Sequence, residues 1–309
     1  MSSAKLWSIV HAPNSQRGAV TAGSTIGKGR AEVGFLARLF AKKSVRPGEQ
    51  FGAPGQGKNT LISTVTVIVL LLLWVVVTET GLVKPLFLPS PRAVFAKFIL
   101  VSTEGFSNST LTEHTLTSLY RVFSAFLLAC ITAIPIGVMM GVSRFVRGIF
   151  DPPIEFYRPL PPLAYLPLVI IWFGIGEFSK IFLIYLAIFA PMAIAARAGV
   201  RSVSIEQIHA AYSMGASKWQ VIRHVIVPAA MPEILTAMRI AIGFGWTTLV
   251  AAEMVAATKG LGQMVLNASN FLRTDIVIMG IVVIGAVAYL FDLLMRYVEH
   301  LVVPWKGKL

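Results

Sequence analysis

Charge is scarce in this chain. Asp, Glu, Lys and Arg make up 13% of its 309 residues, against roughly 25% in soluble domains, which argues against a soluble globule. Acidic residues are the scarcer sign, 14 against 27 Lys and Arg, for a net charge of +13. Cys130 is the single cysteine, so no intramolecular disulfide can form. His11, His114, His209, His224 and His300 are scattered, with no metal-ligand spacing and no nucleophile motif nearby. That weakens any enzymatic reading. Neither half of the chain repeats the other and buried charge is sparse. The rival from another class, an ion-coupled secondary transporter, therefore lacks its usual signature.

What the chain has instead is long uncharged sequence. Such runs separate Lys58 from Glu79, Arg121 from Arg144, Arg158 from Glu177, Lys180 from Arg197, and Asp275 from Asp292. A helix that crosses a bilayer needs about 20 mostly apolar residues, and terminal Lys and Arg can reach the interface where a run is shorter. We read spans at about 61–78, 116–141, 163–175, 181–196 and 276–298, and another at about 234–257 that contains Arg239 and Glu253. The fold class is an all-α integral membrane protein with about six transmembrane helices, so both termini lie on one side. The first apolar stretch starts too late and is too long for a cleaved signal peptide.

The distribution of positive charge gives the orientation and argues against nucleic acid as a partner. Nine Lys and Arg precede Thr60, which places the N-terminus in the cytoplasm. The loops holding Arg144, Arg147 and Arg158, and then Arg197, Arg201, Lys218 and Arg223, fall on that same side. Residues 1–59 read as a basic, largely disordered cytoplasmic tail ahead of a membrane domain at 60–309. Within the tail, GAPGQGKN (52–59) nearly matches a phosphate-binding loop. Asn59 stands where that motif needs a hydroxyl, and a span follows instead of a soluble helix, so the segment reads as a linker. Ser90-Pro91 predicts the start of a short amphipathic helix, on the outer membrane surface or packed on its own protein. The five prolines of Asp151–Pro162 predict a stiff connector.

The segment 204–228 is polar, lies between spans four and five, and carries helix signals. Ser204 and Gln207 fit a capping box, as do Ser217 and Gln220. Gly215 predicts a left-handed helix end between them. Ile205, Ile208 and Tyr212 fall at helical spacing in the first helix, and Trp219, Ile222 and Ile226 give the second an apolar face. Pro228 and Pro232 are expected to stop that second helix before span five. Ala210 and Ala211 leave room for another surface to approach. On periodicity alone, an amphipathic connector fits as well as a docking element.

This segment resembles the EAA loop of ABC-importer permeases. Ala210, Ala211 and Gly215 match, followed after nine residues by Val225-Ile-Val227-Pro228. His209 stands in place of the usual glutamate. The segments 156–191, 243–265 and PWKGK (304–308) are similar to the taurine/sulfonate–nitrate–bicarbonate branch of that family. The resemblance implies a type I ABC-importer permease fold in a bacterial inner membrane, with both termini cytoplasmic. It implies an importer of taurine or a related small sulfonate, with nitrate or bicarbonate as the alternative. It also implies a second permease copy, two cytoplasmic ATPase subunits that hold ATP and Mg, and an external solute-binding protein. No cofactor is expected on this chain itself, which performs no covalent chemistry. The coupling residues would be His209, Ala210, Ala211 and Tyr212, with Gly215, Ala216 and Pro228.

Span five carries polar groups that could line a path. Gly243, Trp246, Val250, Glu253 and Ala257 recur at steps of three or four and share one face. Glu253, near the external end, reads as an outer gate, a binding-protein contact or a structural ion pair. Thr247 and Thr248 can bond a sulfonate or their own backbone one turn back. Tyr165 and Trp172 line the same path or serve as interface anchors. Arg158 can attract an anion, and is expected at the cytoplasmic interface.

Overall fold

The structure is a computed structural model that describes residues 60–304. The tail 1–59, with its GAPGQGKN segment, lies outside the described residues. The described residues divide between two units that part between Ile68 and Val69.

The described residues are helical, apart from turns and a lone bridge between Phe106 and Ser109. Helix α1 is Thr60–Glu79 and α2 is Pro91–Thr103, capped by Ser90. Helix α3, Leu111–Val142, begins with a reciprocal Thr110–Glu113 capping box. Helix α4 is Arg144–Tyr157, α5 Pro162–Phe173 and α6 Glu177–Arg201. Helices α7, Ile205–Ser213, and α8, Lys218–Val221, precede α9, Val227–Ala256. Helix α10 is Leu261–Asn270 and α11 is Thr274–Val302. Five helical stretches are long and apolar enough to cross a membrane, and the 12-residue α5 is a shorter apolar helix.

Packing centres on α3, α6 and α9. Ala129, Ala133 and Gly137 of α3 face Ala193 and Ala196 of α6, and a Cβ on Gly137 would overlap the Ala193 carbonyl. Small side chains let two backbones approach closely where apolar surroundings supply no hydrophobic drive. On α9, Gly245 leaves room for the Ile188 side chain of α6. Helix α2 buries Val94 and Val101 in a second cluster with Met264 of α10 and Ile276 of α11, so it packs on its own protein. Phe95 and Ile99 remain exposed on its other side.

Two proline expectations are corrected. The proline-rich connector is helical as far as Tyr157, with Pro152 and Pro153 inside α4. Asp151 there is held by Arg147 of its own helix and by Arg197 of α6, and this anchoring offsets the lost backbone bonds. Pro228 and Pro232 likewise do not stop the second loop helix. Residues 222–226 widen into a π-helical turn, and helical turns run unbroken from Lys218 to Ala256. A proline ring clashes with the carbonyl four residues back, and a π-turn one step earlier displaces the chain that carries it.

Candidate functional site

Three features stand out: a groove on the polar loop, a cavity at the break between α4 and α5, and a buried ion network where α3, α6, α9 and α10 meet.

The groove forms because α7 and α8 meet at a sharp corner. The Ser204 hydroxyl accepts from the Gln207 N–H, and Ser217 and Gln220 form the reciprocal capping box. Between them Gly215 takes φ +81°, a conformation that L side chains rarely adopt. The Ala216 N–H donates to the Ala211 carbonyl and closes the corner. The loop rests on the body through Ile208, Ala211, Val221 and Ile226, which pack near Ala196 and Val200 of α6. A groove of about 770 Å³ remains open above it. Ala210, Ala211, Gly215, Ala216 and Pro228 line it, while His209 and Tyr212 lie exposed outside it. Trp219 does not join the inward face as expected. It is 68% exposed, and Met214 is 85% exposed.

The cavity, about 490 Å³, brings together Tyr165, Thr247 and Thr248. Arg158 also lines it. The opposite wall includes Ala187, Ala190 and Pro191 of α6. The Thr247 hydroxyl donates to the Phe244 carbonyl at 2.9 Å, a bond to its own helix. Trp172 and Gly243 are exposed elsewhere, and Trp246 is buried with its indole N–H unpartnered. None of these three lines the cavity.

Glu253 is fully buried and bonded on every side. Its Oε1 accepts from Ser118 Oγ and Arg121 Nη1, both at 2.7 Å, and its Oε2 accepts from the Gly262 N–H at 2.8 Å. Arg121, 1% exposed, also donates to both Glu177 oxygens, at 2.6 and 2.8 Å, and to the Lys259 carbonyl. Lys180 completes the set at 2.9 Å from Glu177. Nearby, His114 accepts from the Gly260 N–H through Nδ1, while its Nε2 lies 3.0 Å from the Phe106 carbonyl. A carbonyl can only accept, so Nε2 carries the hydrogen. The geometry is that of an ion-paired lock joining four helices. Sequence reasoning missed Arg121. Its signal is the presence of a base and an acid at corresponding ends of two spans. Among the described residues no group of three or more His, Cys, Asp or Glu is placed to hold a metal ion.

Residues 133–303, which include the cavity, the groove and most of the network, match the family described as binding-protein-dependent transport system inner membrane component. The chain belongs to this family. Among members of this transport-system family, it is 52% identical to the taurine transport system permease protein TauC of Escherichia coli, over 81% of this chain and 92% of the relative. It is 29% identical to the nitrate import permease protein NrtB of Synechocystis, over 93% of this chain and 100% of the relative. Its fold resembles a chain of the MetNI methionine ABC transporter in an inward-facing form, with a TM-score of 0.54 at 20% identity, covering 62% of this chain and 95% of the other. The chain is thus an all-α, multi-pass permease with the type I ABC-importer fold.

Proposed function

We propose that this chain is the channel-forming subunit of an ATP-driven importer of taurine or a related small sulfonate. The observation that carries the substrate is the 52% identity to a taurine permease over 81% of the chain. The observation that supports the coupling is the groove beside Gly215, open and flanked by the exposed side chains of Met214 and Trp219. In this reading both termini and the groove face the cytoplasm, as positive-inside bookkeeping requires. A cytoplasmic ATPase docks in the groove against Ala210, Ala211, Gly215, Ala216 and Pro228, with His209 and Tyr212 on the rim. A second copy of the chain completes the channel, and a second ATPase serves that copy. An external binding protein delivers the solute. ATP and Mg belong to the ATPases, and the chain itself catalyses no reaction.

The test is reconstitution of the chain with an ATPase and a binding protein encoded beside it. ATP-dependent accumulation of labelled taurine supports the reading. Uptake driven by a proton or sodium gradient without ATPase would sink it in favour of a secondary transporter. A second reading, nitrate as cargo, rests on the similarity to the nitrate permease. ATP-driven nitrate uptake with no taurine uptake would decide for it.

A further inference from the structure

The cavity at Arg158 lies where the chain breaks helix. Helix α4 ends at Tyr157 and α5 starts at Pro162. The residues between them line the cavity together with Ala187, Ala190 and Pro191 of α6. Measured along α6, the lining residues lie about 13–21 Å from the Glu177 end at 1.5 Å per residue, and α6 has 25 residues. The break is therefore near mid-membrane. Non-helical backbone at that depth is tolerated where it is buried in protein or lines a water-filled cavity, and breaks of this kind mark binding sites in transporters.

The charge at the break is positive. Arg147, Arg158 and Arg197 share two carboxylates, Asp151 and Glu155. Arg158 holds the weakest share, 4.0 Å from Glu155, and its side chain is 51% exposed. One positive charge is left over, and Arg158 is among the residues that line the cavity. Pro161 and Pro162 also line it, so the positive end of the α5 dipole adds to the same field. Thr248, 5% exposed, contributes a hydroxyl to the wall. Tyr157 is also among the lining residues. No carboxylate lines the cavity, so a ligand ammonium would find no counter-charge.

We infer that this cavity is a mid-membrane subsite for the oxyanion head of the transported solute, and that it reads the sulfonate and ignores the amine. Arg158 holds the head in charge-assisted hydrogen bonds, and Thr248 donates a further one. The short carbon chain lies against Ala187, Ala190 and Pro191. Ethanesulfonate, which lacks the amine, is bound as well as taurine, and specificity for the amine is left to the external partner. This inference rests on the importer reading.

The test uses the complete importer in phosphatidylcholine proteoliposomes, which keep anionic lipid away from Arg158. Arg158→Gln lowers the initial rate of ATP-driven taurine uptake about tenfold, the scale of one lost charge-assisted bond, and Arg158→Lys retains an intermediate rate. ATPase stimulation by the loaded binding protein stays within about twofold of wild type, because the docking groove is untouched. Thr248→Val lowers uptake about threefold. Independently of any variant, saturation-transfer NMR on the wild-type permease–ATPase complex, without binding protein, shows contact with ethanesulfonate and none with ethanolamine. The inference falls alone if the wild type imports and Arg158→Gln matches it, if uptake and stimulation are lost together, or if ethanolamine binds as well as ethanesulfonate. If the wild type imports no anion, the importer reading falls first and takes the inference with it.

Discussion

Replacing Arg121 by methionine strands a charge. Glu253 has no exposed surface, and its carboxylate is balanced by a guanidinium 2.7 Å away. After Arg121→Met the Ser118 hydroxyl and the Gly262 N–H still bond it, but neither carries a charge. Removing one partner of a buried pair costs about 3–5 kcal/mol. Glu253→Gln is the milder change. Arg121 then keeps both bonds to Glu177, which it shares with Lys180, and because Glu177 is 49% exposed water screens the one surplus positive charge. The new amide must turn its NH2 toward one of three donors, at a cost of about 1–3 kcal/mol. Combining the two removes the stranded carboxylate, so the double variant is more stable than Arg121→Met alone. Cys130, the single cysteine and half-buried in α3, supplies the assay. A thiol-reactive fluorogenic dye reports its exposure as purified protein is heated in nanodiscs. The expected order of thermal midpoints is wild type, Glu253→Gln, double variant, Arg121→Met. Equal losses for the two single variants, or strictly additive losses in the double, would refute the reasoning.

Other outcomes follow from the same geometry. Ala210→Trp fills the groove beside Gly215 and abolishes co-purification of the ATPase, while the permease still inserts and keeps its thermal midpoint. Gly137→Val drives side-chain atoms into the Ala193 carbonyl and costs about 1–3 kcal/mol, read as a lower midpoint in the same dye assay. In a Cys130→Ala background, a cysteine at Ser217 reacts with a membrane-impermeant maleimide only from the cytoplasmic side, and one at Asn108 only from outside. Labelling of both from one side would overturn the proposed orientation.

Long uncharged runs made α1, α3, α6 and α11 legible, and α9 was legible despite Arg239 and Glu253, because crossing a bilayer demands sustained apolar sequence. Local chemistry fixed Ser90, Ser204 and Ser217 as caps and Gly215 as a corner, since each acts within a few residues of itself. What escaped the sequence depends on distant partners. Arg121 and Glu253 are 132 positions apart, and nothing local to either announces the other. Pro152, Pro153 and Pro228 mislead for the same reason, because a local breaker is overridden by Arg197 in one place and by a π-turn in the other. Trp219 has the spacing of a core residue but faces outward, and periodicity cannot tell burial in the chain from burial in a partner. Helix α10 went unread because ten residues interrupted by polar side chains carry too weak a pattern.

The π-turn at 222–226 has a mechanical consequence. By carrying the helix past Pro228, it makes the wall of the proposed docking groove and the lock at Glu253 parts of a single 39-residue helical stretch, about 58 Å long at 1.5 Å per residue. Thr247 and Thr248 sit partway along it, in the cavity wall. A push on the cytoplasmic end would act as on a lever, with the tight α6 contact at Gly245 as fulcrum. It would tilt the cavity wall and strain the outer lock in one stroke.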